Sequence, residues 1–186
     1  GKAMPVEVNS IIKGDVPSRG IDWYRFTAKA GQRVLLEVVA ERIDSRMDGM
    51  LIVYDSEGRE VSRNREVYGR DPFLEVSTEQ DAEYFLAVSD ILYRGGAEHF
   101  YRLSISSRPH IDFVFPPAGE PGSTNTYTLF GRNLPGSRIS DTVLLDGKQL
   151  EQLPIEITLP KVASTPKSFH PGEPRQGLLR GLDYQF

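Results

Sequence analysis

The amino-acid sequence predicts an all-β protein made of two sandwich domains. Short segments in which apolar and polar residues alternate recur along the chain, and alternate residues of a strand point to opposite faces of a sheet. Glycine and proline separate these segments, for example in KGDVPSRG and YRGGAEH. No long stretch of the sequence has the apolar period of an amphipathic helix. These three observations are typical of antiparallel sheets that bury one face.

Seven strands are predicted in the first part of the chain. The second and third enclose an Ala-Gly-Gln turn, which favours a hairpin or meander. Tyr24 and Phe26 share one face and are predicted to be core residues. Trp23 falls on the other face with Arg25, so we expect it to cover a second packed surface, such as a neighbouring domain. The seven predicted strands are residues 5–12, 22–28, 33–40, 50–54, 72–77, 84–89 and 100–106. The segment AERIDSRMDG has room for one turn of helix.

A second, smaller β domain is predicted to begin near residue 108. Pro109 cannot donate a backbone hydrogen bond and restricts the residue before it, so a boundary is natural here. Only SSRPH separates the two domains, which predicts a rigid joint. Apolar alternation and an Asp146-Gly147 turn then predict four or five strands. The predicted domains are residues 1–107 and 108–186, with an extended stretch over 161–179 and a final strand at 182–186.

Composition and charge exclude several classes of function. The chain of 186 residues has a net charge of −4 and no dense basic run, which argues against nucleic acid as a partner. Cysteine is absent, so disulfides, thiolate metal sites and cysteine nucleophiles are excluded. No apolar stretch is long enough to cross a bilayer, and we expect no transmembrane segment.

Two loop segments imitate ligand-binding motifs. DSEGRE has the acidic character of half a calcium loop but lacks the alternating oxygen ligands and the distal glutamate of an EF-hand. A hairpin turn with Gly58 at positive φ explains it better. GRNLPGSR imitates the spacing of a phosphate loop but has Ser137-Arg138 where Lys followed by Ser or Thr is required. We interpret both segments as turns.

The sequence contains no catalytic motif, and we predict no catalytic residue. His99, His110 and His170 stand alone, without the spacing of a metal hydrolase. No Gly-x-Ser-x-Gly elbow for a serine nucleophile is present. A triad of dispersed residues stays open in principle, because triads are defined by geometry and not by order.

The remaining candidates are three aspartates and three aromatic residues. Asp15, Asp22 and Asp90 are weak calcium candidates, but turn aspartates usually bind backbone amides, and we expect Asp22 to anchor the PSRGID turn. Neither a metal nor another cofactor is therefore expected. The candidate ligand-binding residues, for a carbohydrate or a protein, are Trp23, Tyr68 and Tyr93. Whether these aromatic side chains are exposed or core depends on a sheet register that stays open here.

Four further motifs follow one another within residues 4–107, namely DWYRFTAKAGQ, LIVYDSEGRE, EYFLAVSD and FYRLSIS. In this order they resemble the pattern of the bacterial pre-peptidase C-terminal domains. The resemblance implies a jelly-roll-like sandwich that serves as a non-catalytic accessory of a secreted protein. Some members bind calcium through an acidic segment before the first strand, and others bind collagen through a row of tyrosines. Here the corresponding positions after Phe85 are Ala87, Ser89 and Ile91, so we expect no collagen site.

The segment RPHIDFVFPPAGEPG, which begins at Arg108, is followed by a Gly-Arg-Asn-Leu segment and by VLLDGKQL. Over residues 109–160 these segments resemble the opening strands of immunoglobulin-like IPT/TIG domains. The resemblance implies a smaller immunoglobulin-like sandwich after the jelly-roll-like one.

Together these expectations describe a non-catalytic binding or spacer module of a larger bacterial protein, such as a peptidase or other hydrolase. The resemblance implies a secreted, cell-surface or periplasmic location. The expected partners are a protein or a polysaccharide, together with other domains of the parent protein. The alternative is a fragment of a secreted hydrolase that contributes directly to its active or substrate-binding site.

Overall fold

The computed structural model describes residues 2–161, and this part of the chain is all-β. Its thirteen strands are β1 (Met4–Pro5), β2 (Ser10–Asp15), β3 (Asp22–Ala28), β4 (Arg33–Val39), β5 (Gly49–Tyr54), β6 (Glu60–Asn64), β7 (Phe73–Ser77), β8 (Ala82–Asp90), β9 (Phe100–Ser106), β10 (His110–Phe115), β11 (Thr124–Arg132), β12 (Arg138–Leu145) and β13 (Lys148–Thr158). A single 3-10 turn, Glu41–Ile43, lies where the sequence allowed one helical turn. The extended stretch and the final strand predicted for the last residues lie outside the described residues, apart from Lys161.

Two sheets form a sandwich around one core. Sheet I has the strand order β1-β3-β8-β5-β6, and sheet II has the order β2-β9-β4-β7. Their facing side chains include Tyr24 and Phe26 of sheet I, which are 3% and 2% exposed. Leu36 and Leu103 of sheet II belong to the same cluster. The predicted core face of the second strand is therefore confirmed.

The first predicted strand, residues 5–12, is wrong as a single element. Met4–Pro5 pairs in parallel with β3 in sheet I, whereas Ser10–Asp15 pairs with β9 in sheet II. Asn9 lies between them at φ 71°, in the left-handed region that asparagine tolerates better than most residues. Its side chain accepts a hydrogen bond from the backbone amide of Ser107 at 3.0 Å. The chain therefore crosses from one sheet to the other at a bend that hydrophobic alternation alone does not reveal.

Strand β4 is buried on both faces. Leu36 faces the core, and Leu35 on the opposite face is also only 3% exposed. Arg33 and Glu75 share this second face of sheet II, because Leu35 pairs with Glu75 across the β4–β7 ladder. A half-exposed sheet face would be polar at these positions. The apolar run RVLLEVV thus indicates that something covers sheet II from outside.

Sheet III provides that cover. Its four antiparallel strands run in the order β10-β11-β13-β12. Tyr127, Leu129 and Leu150 are its most buried apolar residues, together with Leu134 in the β11–β12 turn. Within the described residues this sheet has four strands, as the sequence predicts for the second domain. The division into two domains stays a prediction, as does the immunoglobulin-like character of the second.

The predicted turns are confirmed. Gly58 closes the β5–β6 hairpin at φ 80°, and Asp146 and Gly147 close the β12–β13 hairpin at φ 51° and 73°. GRNLPGSR spans the β11–β12 turn, in which the amide of Ser137 donates to the carbonyl of Leu134. Strand β6 was not predicted from the sequence, because EVSRN contains a single apolar residue, Val61, and so shows no apolar alternation. Among residues 2–161, no helix is long and apolar enough to span a membrane.

Candidate functional site

An aromatic groove lies on the outer face of sheet I. Trp23 on β3 and Tyr54 on β5 are separated by the central strand β8, yet their rings lie 5.5 Å apart at an angle of 38°. Ala87 of β8 pairs with Trp23 on one side and with Ile52 on the other. A methyl group at this central position leaves space for the two large rings to meet above it. We call this feature the Trp23 groove; it is lined by Trp23, Tyr54, Phe85 and the turn residues 55–58 and encloses about 490 Å³.

The rim of the groove is held by the β5–β6 turn. The carboxylate of Asp55 accepts hydrogen bonds from the amides of Glu57 and Arg59, each at 2.9 Å. The Nε of Arg59 donates to the same carboxylate at 2.8 Å. The hydrogen bond from the Arg59 side chain is the main cause that holds the pKa of Asp55 below its usual range, and the two amide bonds add to it. The turn is therefore preorganised, and Ser56 and Glu57 remain exposed beside the rings.

The charges around the groove are paired with one another. Arg25 lies 2.8 Å from Glu83, and Arg59 lies 3.0 Å from Glu57. The four side chains are at least 38% exposed, so these pairs contribute little to stability. Among the described residues, each charged group beside the groove therefore has a partner of opposite sign, and the three carboxylates and two guanidinium groups leave one net negative charge.

The other two aromatic candidates lie elsewhere. Tyr93 is 55% exposed in the β8–β9 loop, at φ 54°. Tyr68 is half-buried and contacts sheet III, with its hydroxyl donating to Asp112 and lying 3.1 Å from Nε2 of His110. Trp23, Tyr68 and Tyr93 therefore do not form one platform. Their role in ligand binding stays a prediction.

Within residues 2–161, Trp23 does not make the predicted contact with a neighbouring domain. It packs on Tyr54 within sheet I, whereas the contacts to sheet III come from the outer face of sheet II. The apolar residue that makes the contact with sheet III is instead Phe73 of sheet II, which is 4% exposed. Its ring lies 5.2 Å from that of His110. The error arose because the alternation in DWYRF shows that Trp23 leaves the core but not which sheet covers which.

Arg132 is the centre of the contact between sheets II and III. Its side chain is 3% exposed and lies between Asp112 of sheet III and Glu75 of sheet II. Nη1 donates to both carboxylate oxygens of Asp112 at 2.6 Å, and Nε donates to Glu75 at 3.0 Å. The guanidinium also lies 4.7 Å from the centroid of the Phe73 ring. A buried cation is thus neutralised by two carboxylates, one from each sheet.

A second group of contacts reinforces the first. Arg33 of β4 forms an ion pair with Glu151 of β13, and its Nε donates to the side-chain oxygen of Asn133 at 2.9 Å. Asn133 in turn donates to the backbone carbonyls of Arg33 and Ser107, at 3.1 and 3.3 Å. Lys148 lies 3.2 Å from Glu75. Side chains of both sheets and the backbone of the linker are therefore tied together.

The calcium candidate Asp90 is committed to loop structure. Its fully buried carboxylate accepts hydrogen bonds from the amides of Asp48, Leu92 and Arg94, and pairs with the Arg94 guanidinium at 3.0 Å. Burial opposes its ionisation, but the bond from Arg94 and the three amide bonds outweigh it and lower the pKa of Asp90. This is the role of a turn aspartate that the sequence analysis expected in general.

Asp22 does not anchor the PSRGID turn as expected. Its carboxylate accepts a hydrogen bond from the hydroxyl of Tyr101 at 2.6 Å, and that hydroxyl accepts one from Tyr24 at 2.6 Å. Burial, then the bonds to Asp22 and Tyr24, raise the pKa of Tyr101 far above its usual range. Gly14 pairs with Tyr101 across the β2–β9 ladder, and a Cβ there would lie 2.7 Å from the hydroxyl. The turn itself closes through the amide of Gly20 and the carbonyl of Pro17.

The remaining titratable residues form no metal site. Asp15 is exposed at the end of β2, opposite Phe100 of β9. His99 directly precedes β9, His110 begins β10, and His170 is outside the described residues. Within residues 2–161, no group of three or more His, Asp or Glu side chains is arranged to hold a metal ion.

Sequence reasoning missed Tyr54, Arg132 and Asp71. Asp71 is fully buried, and its carboxylate accepts hydrogen bonds from the amides of Ala40 and Glu41 and from Nε of Arg42. A usable signal existed for Tyr54, since Tyr-Asp-x-x-Gly places an aromatic residue directly before a tight hairpin. No comparable local signal existed for Arg132, whose partners lie 20 and 57 residues away.

Solved structures match the chain in part. A pre-peptidase C-terminal domain of a collagenase from Bacillus anthracis matches with a TM-score of 0.46 and 17% identity, over 56% of this chain and 94% of that one. A periplasmic inhibitor of g-type lysozyme from Aeromonas hydrophila, PliG, matches with a TM-score of 0.40 and 17% identity, over 56% and 97%. Salmonella Typhimurium PliG matches with a TM-score of 0.36 and 15% identity, over 56% and 99%. No protein-family model and no curated protein sequence matches the chain.

Proposed function

We propose that the chain is a non-catalytic accessory module that holds a larger extracytoplasmic protein to a protein or polysaccharide partner. In this proposal residues 1–107 and 108–186 are two domains that act as one rigid unit. The single observation that carries the proposal is the buried Arg132, which is shared by carboxylates of sheets II and III. A rigid pair of β domains suits a spacer, because it sets the distance and orientation of whatever is attached at each end.

The use of the buried carboxylates supports a structural role for the polar interior. Asp71 and Asp90 bind loop amides, and Asp112 binds Arg132. A catalytic carboxylate is instead expected in a cleft, within reach of a substrate and with a partner that tunes its proton transfer. The ordered motifs that resemble the pre-peptidase C-terminal domains support the accessory role and the secreted, cell-surface or periplasmic location.

Assays of the chain alone and of its parent protein test this function. The purified chain should hydrolyse neither casein, gelatin nor p-nitrophenyl esters. In the parent, removal of the chain should weaken retention on an insoluble substrate while kcat on a small soluble substrate stays the same. Turnover by the chain alone that disappears on replacing one of its Ser or Asp residues would overturn the proposal.

A further inference from the structure

We propose that the Trp23 groove binds a neutral polysaccharide chain, with the pyranose rings packed on Trp23 and Tyr54. The inference rests on the proposed role as a binding module and names the class of partner and the residues of the site. It adds Tyr54, Phe85 and the turn 55–58 to the isolated tryptophan.

The aromatic rings of the groove are exposed at a place where the sandwich does not need them for its core. Trp23 is 37% exposed, while the core of the sandwich is closed by Tyr24 and Phe26 on the opposite face of the same strand. The groove of about 490 Å³ falls within the size range of small-ligand sites, which combine aromatic walls with a few polar groups. Aromatic faces of this kind supply a large contact area at a small cost in side-chain entropy.

Polar residues of the β5–β6 turn form a rim beside the rings. Ser56 and Glu57 lie beside the rings and can exchange hydrogen bonds with hydroxyl groups. Asp55 is bonded to the amides of Glu57 and Arg59, so the turn is ordered before a ligand arrives. Because the rim is already ordered, binding loses less conformational entropy. Sugars present an apolar C–H face and a polar edge of hydroxyls, which matches rings bordered by such a rim.

The charged side chains around the groove are paired with one another. Arg25 is paired with Glu83, and Arg59 is paired with Glu57 and Asp55. The net charge of these five groups is only −1, and each is already paired, so a charged ligand would have to compete with an existing ion pair. A neutral ligand disturbs none of these pairs, so charge complementarity favours a neutral chain over either charged class.

The shape of the groove favours a sugar over an apolar peptide. Protein hot spots lie in fully desolvated pockets that enclose the anchoring side chain. The Trp23 groove is shallow and largely open to solvent. A pyranose ring needs contact on one face only and leaves its hydroxyl groups in water, so the open geometry suits it.

Fluorescence of the indole tests the proposal directly, because Trp23 is the only tryptophan in the chain. The probes are the neutral hexasaccharides cellohexaose, xylohexaose, mannohexaose, maltohexaose and fully N-acetylated chitohexaose, with oligogalacturonate as an anionic comparison. At least one neutral probe should shift and quench the emission with saturation, while oligogalacturonate should not. Calorimetric titration of the same probe should then show an affinity loss of about tenfold or more for both Trp23→Ala and Tyr54→Ala.

Phe100→Ala is the matched control, since Phe100 has the same 37% exposure as Trp23 but lies on β9 of sheet II. It should bind the probe like the unchanged chain, and all three variants should keep the β-type circular dichroism spectrum. Failure of all five neutral probes, equal binding by Trp23→Ala and the unchanged chain, or tighter binding of oligogalacturonate or of a proline-rich peptide would overturn the inference. Mass spectrometry of the probe after incubation separates the two proposals: cleaved probe contradicts the non-catalytic function, whereas intact probe that does not bind contradicts only the sugar site.

Discussion

Nη1 of Arg132 lies 2.6 Å from each carboxylate oxygen of Asp112, and the two side chains are 3% and 1% exposed. Both residues belong to sheet III, and Glu75 of sheet II completes the neutralisation of the guanidinium. Asp112 therefore orients the Arg132 side chain so that its Nε can donate a hydrogen bond to Glu75 of sheet II. The contact of the two sheets depends on a polar centre surrounded by the rings of Phe73, Tyr68 and His110.

Replacing Arg132 with alanine should destabilise the protein by about 3–5 kcal/mol, because Asp112 would be left buried without its cation and Glu75 would keep only the half-exposed Lys148. Urea denaturation measures this loss. The variant should also let the two parts of the chain tumble separately in NMR relaxation, whereas the unchanged chain tumbles as one body. Arg65→Ala, which removes an exposed arginine paired with Glu66, is the control and should change the free energy of unfolding by less than about 0.5 kcal/mol. Independent tumbling of the unchanged chain would contradict the rigid joint.

Replacing Asp90 with asparagine should weaken the protein at neutral pH and make it less sensitive to acid. The pKa of Asp90 is lowered in the folded state, so its stabilising effect is present above the unfolded pKa of about 4 and is lost as the pH falls through the folded value. The difference in unfolding free energy between the two proteins should be about 1–3 kcal/mol at pH 7 and shrink below pH 4. Denaturation at pH 7, 4 and 2.5 measures it. Asp15→Asn, at an exposed position, should follow the unchanged chain at every pH.

Replacing Tyr101 with phenylalanine should cost about 1–2 kcal/mol at pH 7, because the carboxylate of Asp22 and the hydroxyl of Tyr24 lose a buried partner. The pKa of Tyr101 is raised in the folded state, so its contribution is complete below the unfolded pKa of about 10 and declines as the pH rises further. Above that pH the unfolding free energy of the variant should fall less steeply than that of the unchanged chain. Urea denaturation at pH 7, 9 and 10.5 measures both effects, with Tyr93→Phe as the exposed control. Parallel pH profiles for Tyr101→Phe and the unchanged chain would contradict the buried hydroxyl chain.

Strand alternation was enough to predict that Tyr24 and Phe26 enter the core and that Trp23 leaves it, because these facts depend on neighbours in sequence. The partner of Trp23 could not be predicted in this way. Tyr54 meets Trp23 only because β8 lies between their strands and carries a small Ala87 at that level, which depends on strand order and register. Asn9 shows the same limit on the backbone, since its left-handed bend moves the chain between sheets without interrupting the apolar pattern. The buried position of Arg132 depends on Glu75, which comes from a different sheet.

Calcium should not stabilise the protein, even though some proteins that its sequence resembles bind it. The ion needs six to eight oxygen ligands, and the three candidate aspartates have other partners or positions: Asp22 holds Tyr101, Asp90 holds Arg94 and loop amides, and Asp15 is exposed. A site with a dissociation constant of about 10 μM would add roughly 2.7 kcal/mol at about 1 mM calcium. That gain would raise the melting temperature by several degrees. We expect a shift of no more than about one degree between excess calcium and EDTA, measured by differential scanning calorimetry.

Asp22→Asn should lower the melting temperature equally in both buffers, because it weakens the bond from Tyr101 whether or not the ion is present. A rise of several degrees with calcium that Asp22→Asn abolishes would instead identify Asp22 as a ligand.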